Sequence, residues 1–226
     1  MKTTFVLLFL TVFLTGHSFA QDMWGFSRYH EANEKIGLPA PGEKRVVFMG
    51  NSITDGWSDA RPDFFKGKPY INRGISGQTT PQMLVRFRAD VLNLIPAVVV
   101  ILAGTNDIAE NMGPSKFEWI ENNIISMVQL AQANGIKVVL CSVLPVYDYP
   151  WKPGLQPAEK IVALNKMLKA DAEKYGLIWV DYFSPMADER NGLKAEYSSD
   201  GVHPNETGYS VMEPLVTVAI EKALHQ

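Results

Sequence analysis

The sequence predicts an α/β protein, a three-layer α/β/α sandwich built on a parallel sheet of five strands. Short β-branched runs alternate along the chain with longer amphipathic stretches, which is the pattern of strand–helix–strand units. Two of the runs, AVVVILA (97–103) and IKVVLCS (136–142), are apolar throughout. Continuous apolarity is typical of strands that helices cover on both faces. We therefore expect the sheet to be buried between two helical layers.

The remaining elements follow the same alternation. Strands are predicted at 45–49, 70–72, 97–103, 136–142 and 177–180, and helices at 81–94, 115–134, 157–175 and 206–224. Ser115 followed by Glu118 has the form of a capping box at the start of the second helix. Gly135 and Gly176 stand where the second and third helices are expected to end.

The first 20 residues have the pattern of a cleaved signal peptide. Lys2 precedes an apolar run at 5–14, and Ser18 and Ala20 are small residues at the positions that signal peptidase reads. The run is about half the roughly 20 residues that a membrane span requires, which argues against an anchor. We therefore predict a signal peptide at 1–20, a single domain at 21–226, and export to the periplasm or the extracellular medium.

Composition argues against several kinds of partner and site. The 226 residues have a formal net charge of −3, and no basic cluster is longer than Lys44-Arg45, so neither nucleic acid nor stable membrane anchoring is expected. The single cysteine, Cys141, lies in an apolar run and is expected to pack in the core. No zinc, phosphate-loop or dinucleotide motif occurs, so no metal or cofactor is expected.

Polar or glycine-rich segments follow the first three predicted strands. The first strand runs into Gly50-Asn51-Ser52, the second into RGISG (73–77) and the third into GTND (104–107). In an open parallel sheet, ligands bind outside the carboxyl ends of the strands, so these segments are expected to meet at one edge. Taken alone, Ser52 is either a nucleophile or an ordinary turn serine.

His203 is the histidine best placed to act as a base. The other three lie in the predicted signal or near the ends of the mature chain. Asp200 precedes His203 by three residues, so its carboxylate can orient one ring nitrogen while the other faces outward. The alternative is that Asp200 is a turn residue and His203 a surface group.

Ser52, Gly74, Asn106 and His203, in that order, resemble the blocks of the SGNH hydrolases, the superfamily that includes the GDSL esterases and lipases. The resemblance covers about residues 45–215 and rests on four segments: GNSIT (50–54), NRGISGQTT (72–80), GTND (104–107) and DGVHP (200–204). The chain departs from the family in one place, because Asn51 stands where the first block usually has aspartate. This substitution removes a negative charge beside the serine.

The resemblance implies a flavodoxin-like fold and a serine esterase that needs no cofactor. Ser52 is expected to be the nucleophile, His203 its general base and Asp200 the acid that orients the imidazole. The backbone N–H groups of Ser52 and Gly74 and the side chain of Asn106 are expected to bind the oxyanion.

Within the superfamily, this short form resembles the platelet-activating-factor-acetylhydrolase-like acylhydrolases, which act mostly on small acyl groups. Together with the predicted signal and the aromatic loop at 144–155, this favours a small-molecule or glycan ester as substrate, with O-acetyl groups on carbohydrate first. Trp57, Tyr147 and Trp151 are candidate substrate contacts. Two alternatives stay open: a lysophospholipase or thioesterase for longer acyl chains, and a non-catalytic carbohydrate-binding protein on the same fold.

Overall fold

A computed structural model describes residues 22–226, and their five strands form one parallel sheet. The strands are β1 (Val46–Gly50), β2 (Tyr70–Gly74), β3 (Val98–Leu102), β4 (Lys137–Cys141) and β5 (Ile178–Val180). Their order is β2-β1-β3-β4-β5, and every neighbouring pair is parallel. The predicted α/β fold with a five-stranded parallel sheet is confirmed. The predicted signal peptide at 1–20 lies outside the described residues.

Ten α-helices are present in the described part of the chain. They are α1 (His30–Ile36), α2 (Ser52–Asp55), α3 (Trp57–Ala60), α4 (Pro62–Phe65), α5 (Thr80–Asp90), α6 (Thr105–Ile108), α7 (Phe117–Ala133), α8 (Pro157–Lys174), α9 (Phe183–Met186) and α10 (Glu206–Leu224). None of the helices between residues 22 and 226 has the length and apolarity needed to cross a membrane.

Side chains that alternate along each strand enter two separate cores, one on each face of the sheet. Val47 and Met49 of β1 pack with residues of α5, α7 and α8 on one face. Val46 and Phe48 pack with residues of α2, α3 and α10 on the other face. Cys141 is 1% exposed and belongs to the second core, as the sequence predicted. The all-apolar strands are therefore explained by burial on both faces.

The five strands and three of the four predicted helices agree with the sequence predictions to within two residues. The sequence analysis did not predict the short helices α1–α4, α6 and α9, and two further features differ. The helix predicted at 81–94 ends as α-helix at Asp90 and continues as a 3₁₀ turn at Leu92–Leu94. The capping box predicted at Ser115 is wrong, because α7 begins two residues later and has no side-chain cap. The capping box lies instead at the start of α5, where Gln82 Oε1 accepts the Thr79 N–H at 2.9 Å.

The centre of the sheet positions the candidate site. β1 and β3 are neighbours in the sheet although β2 lies between them in sequence, so the strand order reverses beside β1. Ser52 follows β1 and Asn106 follows β3. The two residues therefore flank the switch point, which is where ligands bind in folds of this kind.

Candidate active site

A chain of hydrogen bonds joins Ser52, His203 and Asp200. Ser52 Oγ lies 2.9 Å from His203 Nε2, and His203 Nδ1 lies 2.7 Å from Asp200 Oδ2. Ser52 is the first residue of α2, two residues after the end of β1, whereas the other two residues lie in the turn before α10. The structure therefore brings the three predicted triad residues into contact, and their catalytic roles stay a prediction.

Asp200 uses its two carboxylate oxygens for two different purposes. Oδ1 accepts the backbone N–H groups of Val202 at 2.9 Å and His203 at 2.8 Å, while Oδ2 contacts the imidazole. Burial raises the pKa of Asp200, but the hydrogen bonds from the His203 ring and from these backbone groups outweigh it and lower the pKa to about 2. Asp200 is thus both a turn residue and a partner of the imidazole, so the two interpretations of its role are compatible.

Asn51, which stands where an aspartate was expected, caps α2. Its side chain is buried, and Oδ1 accepts the Ile53 N–H at 3.1 Å. An aspartate oxygen would accept the same bond, so asparagine keeps the cap and only removes the charge. The Ser52 N–H has no hydrogen-bond partner among the described residues and is available to a substrate oxygen.

The Gly74 N–H, which is expected to bind the oxyanion, already has an acceptor within the protein. Its N–H donates to Asn72 Oδ1 at 2.8 Å. A Cβ at this position would lie 2.1 Å from the backbone nitrogen of Asp55, so the close neighbour that requires glycine is α2. A substrate oxygen would have to share or replace the Asn72 contact for Gly74 to act as the predicted oxyanion donor.

The side-chain amide of Asn106 donates one hydrogen bond within the described residues. The side chain is buried, and Nδ2 donates to the carbonyl oxygen of Gln78 at 2.9 Å. The next residue, Asp107, accepts the Thr80 N–H at 3.0 Å and the Thr80 hydroxyl at 2.7 Å. Burial raises the pKa of Asp107 to about 6 even though the Thr80 contacts lower it. Asp107 therefore attaches the asparagine segment to the start of α5.

The three aromatic candidates have different environments. Trp57 as a substrate contact is wrong, because it is 1% exposed and stacks between Phe64 and Tyr209 in the core. Trp151 is 47% exposed, and its ring centre lies 6.1 Å from that of His203. Tyr147 is also exposed but lines a different cavity, which does not include Ser52. Only Trp151 of the three lies beside the triad.

An open cleft of about 410 Å³ contains both Ser52 and His203. Its other lining residues are largely polar and include Arg28, Asp55, Asp59 and Ser76. Arg28 was not predicted, because no motif indicates that the segment before α1 returns to the carboxyl edge of the sheet. Ser76 lies in the segment 73–77 that was predicted to reach this edge, and its backbone N–H and hydroxyl donate to Asp55 Oδ2 at 3.2 and 2.8 Å.

Comparisons with known proteins point to one group of enzymes. The model of a family described as GDSL-like lipase/acylhydrolase matches residues 48–211. An acetylxylan esterase of Xylanibacter ruminicola is 28% identical over 91% of this chain, and the chain spans about half (50%) of that protein's length. Esterase TesA of Pseudomonas aeruginosa is 32% identical over 72% of this chain and 77% of its own. The crystal structure of a GDSL-like lipase from Bacteroides thetaiotaomicron has a TM-score of 0.87 and 50% identity, covering 89% of this chain and 99% of that one.

Proposed function

Because this chain belongs to the GDSL-like lipase/acylhydrolase family, we propose that it is a serine esterase that forms an acyl-enzyme on Ser52. The observation that supports the proposal most directly is the hydrogen-bond chain from Ser52 Oγ through His203 to Asp200. It joins a nucleophile, a base and a group that orients the base, which is the constellation that activates a serine hydroxyl.

In this mechanism, His203 Nε2 accepts the Ser52 proton as Oγ attacks the ester carbonyl carbon. Asp200 holds the proton on Nδ1 and stabilises the imidazolium that forms. His203 then gives its proton to the leaving alcohol, and water hydrolyses the acyl-enzyme by the same route in reverse. The negative charge on the carbonyl oxygen is met by the Ser52 N–H and by the free amide hydrogen of Asn106, with Gly74 as the further donor if Asn72 releases it.

For the substrate, we propose a small acyl group on a hydrophilic alcohol, with O-acetyl groups on carbohydrate first. The open cleft beside Ser52 is lined by charged and hydroxyl side chains, which suit a polyol better than an alkyl chain. The exposed ring of Trp151 beside His203 offers a face on which a sugar can stack. An acetylxylan esterase among the relatives supports the same choice.

Export through the predicted signal peptide would bring the enzyme to such glycans. Sequencing the N-terminus of the exported protein tests this signal, and we expect the mature chain to begin at Gln21.

The first test compares wild type and Ser52→Ala on p-nitrophenyl acetate and p-nitrophenyl octanoate. Removing the nucleophile should lower kcat by roughly 10⁴-fold or more, because only binding and the oxyanion donors remain. Equal rates for the two proteins would disprove the serine mechanism and would favour the non-catalytic alternative. A strong preference for octanoate would disprove the small-acyl proposal in favour of a lysophospholipase or thioesterase.

The second test concerns the alcohol group and uses Trp151→Ala with acetylated xylo-oligosaccharides. We expect the variant to raise KM for the oligosaccharide and to leave KM for p-nitrophenyl acetate nearly unchanged, since only the sugar needs the aromatic face. Tyr147→Ala is the matched control. The exposed fraction of Tyr147, 54%, is similar to the 47% of Trp151, but Tyr147 lines a cavity without Ser52. The same rise in KM in both variants would contradict a specific role for Trp151.

A further inference from the structure

Arg86 is fully buried behind the candidate site, although no step of the proposed mechanism uses it. It is the seventh residue of α5, and its side chain has 0% exposure. A buried guanidinium is costly unless its donors are satisfied, so its partners are informative. One partner is Asp90 on the same helix, whose Oδ2 accepts Nη1 at 2.8 Å.

The other partners of Arg86 are the segments that carry the predicted oxyanion donors. Nη2 donates to the carbonyl oxygen of Gly50, at the end of β1, at 3.1 Å, and to that of Arg73, at the end of β2, at 2.9 Å. Ser52 lies two residues after the first carbonyl, and Gly74 directly follows the second. One guanidinium therefore fixes the spacing of the strand ends that precede these two donors.

The third donor is connected to Arg86 through Gln78. Arg86 Nε donates to Gln78 Oε1 at 2.6 Å, and the backbone carbonyl of Gln78 accepts Asn106 Nδ2 at 2.9 Å. Gln78 is buried, and its own Nε2 donates to the carbonyl oxygen of Trp24 at 3.1 Å. The orientation of the Asn106 amide thus depends on a loop that Arg86 holds.

We propose that Arg86 is a positioning residue that sets the geometry of the oxyanion-binding group through Gly50, Arg73 and Gln78. The proposal rests on the proposed function, because it assumes that Ser52 and Asn106 bind the oxyanion. Donors to a developing charge contribute to catalysis only when they are held in place before the reaction. Loss of Arg86 should therefore lower kcat and weaken the binding of tetrahedral analogues, while substrate binding changes little.

The test variant is Arg86→Met combined with Asp90→Asn, which removes the guanidinium together with the carboxylate that pairs with it, so that Asp90 is not left as an unpaired buried charge. We expect kcat for p-nitrophenyl acetate to fall roughly 10- to 100-fold, as for other small misplacements of reacting groups, with KM changed less than about threefold. The affinity for phenylboronic acid, which forms a tetrahedral adduct with a reactive serine, should fall by the same factor as kcat.

Arg45 provides a matched control at the opposite end of β1. It is 3% exposed, donates to the carbonyl oxygens of Gly37 and Leu94 at 2.9 and 2.8 Å, and pairs with Glu43 at 2.8 Å. Arg45→Met with Glu43→Gln should lower Tm as the test variant does but leave kcat within about twofold, because it lies at the amino edge of the sheet. Equal loss of kcat in the two double variants would overturn the proposal.

Two more variants separate the possible failures. Asn106→Ala alone should lower kcat roughly 10²- to 10³-fold, and an unchanged kcat would mean that the proposed oxyanion site itself is wrong. In that background the Arg86 double substitution should cost less than in wild type, because both act on one group. If the Arg86 double variant does not fold, Gln78→Met replaces it, with kcat expected to fall roughly tenfold at unchanged KM. An unchanged kcat in that variant would overturn the proposal.

Discussion

Two carboxylates of the candidate site have pKa values that are shifted in opposite directions. Asp200 lies in the turn before α10, where hydrogen bonds from His203 and Val202 outweigh partial burial and lower its pKa to about 2. Asp107 lies in α6, 4% exposed, and burial raises its pKa to about 6 despite the contacts with Thr80. The site thus has two halves. The turn half, which contains Asp200 and His203, is partly exposed, and the buried half, which contains Asp107, lies inside the protein at the carboxyl edge of the sheet.

The two halves are also held together in different ways. The side chains of Asp200 and His203 are 40% and 39% exposed, and the contacts that shape their turn span only a few residues. The buried half depends on contacts between distant segments, such as Arg86 with Gly50. We therefore expect substitutions in the turn to change activity with little loss of stability, and substitutions in the buried half to change both.

Among the variants that compare the two halves, Asp200→Asn is expected to have the largest effect. Asparagine keeps an oxygen for the turn but cannot hold the imidazole in the required tautomer, so kcat should fall by about 10⁴-fold. Because wild-type Asp200 is ionised well above its pKa of about 2, it contributes nothing to the pH dependence of activity above pH 4. Steady-state kinetics measure the loss of kcat. Thermal melts measure the stability, and we expect Tm to change by only a few degrees.

The control for Asp200 is Asp188→Asn. Asp188 Oδ1 also accepts two backbone N–H groups of a turn, from Arg190 at 2.9 Å and Gly192 at 2.8 Å, but it has no contact with the triad. Asparagine keeps an oxygen for this turn as well, so the variant should perturb its turn to the same small degree and keep full activity. If it were as inactive as Asp200→Asn, the loss would come from turn structure and not from the imidazole contact.

The sequence indicated the turn half of the site well, for a physical reason. Asp200 and His203 are three residues apart, so their contact is nearly a local one, and DGVHP indicated it directly. The sheet was predictable because AVVVILA and IKVVLCS have the composition of strands buried on both faces. The five strands and the long helices α7, α8 and α10 were therefore predicted to within two residues.

The buried half was only partly predictable. Arg86 lies in a helix that the sequence predicts, but nothing local shows that Gly50, 36 residues earlier, lies against it. Trp57 was interpreted as a cleft residue, yet the apolar cluster that buries it includes Tyr209, which is far away in sequence. The neighbour that requires glycine at position 74 is Asp55, which comes from another element of the chain. Long-range packing decides each of these cases.

A medium effect, on stability, is expected for Asp107→Asn. The folded-state pKa of Asp107, about 6, is above the ordinary value of 3.8, so the folded protein holds this proton more tightly than the unfolded chain does. Wild type therefore loses stability at this group as pH rises from about 4 to 6. The neutral variant does not, so its free energy of unfolding relative to wild type should rise by roughly 2 to 3 kcal/mol between pH 4 and pH 7.

Urea denaturation of both proteins at pH 4 and pH 7 measures this difference. Asp63→Asn, which removes an exposed carboxylate of α4, is the control and should show no such change. A constant difference between wild type and Asp107→Asn at the two pH values would mean that Asp107 titrates near its ordinary value and that burial does not govern its charge.

The smallest effect concerns Asn51, the one departure from the family's first block. Asn51→Asp keeps an oxygen for the Ile53 N–H and adds a buried negative charge next to Ser52. A negative charge near His203 favours the imidazolium, so the acidic limb of the kcat/KM profile should move to higher pH by roughly one unit or less. Asn51→Ser, which keeps a capping oxygen without the charge, should leave the limb in place. If both variants shift the pH profile of kcat/KM equally, the cap and not the charge controls the reactivity of Ser52. Asn51 would then matter only for capping α2.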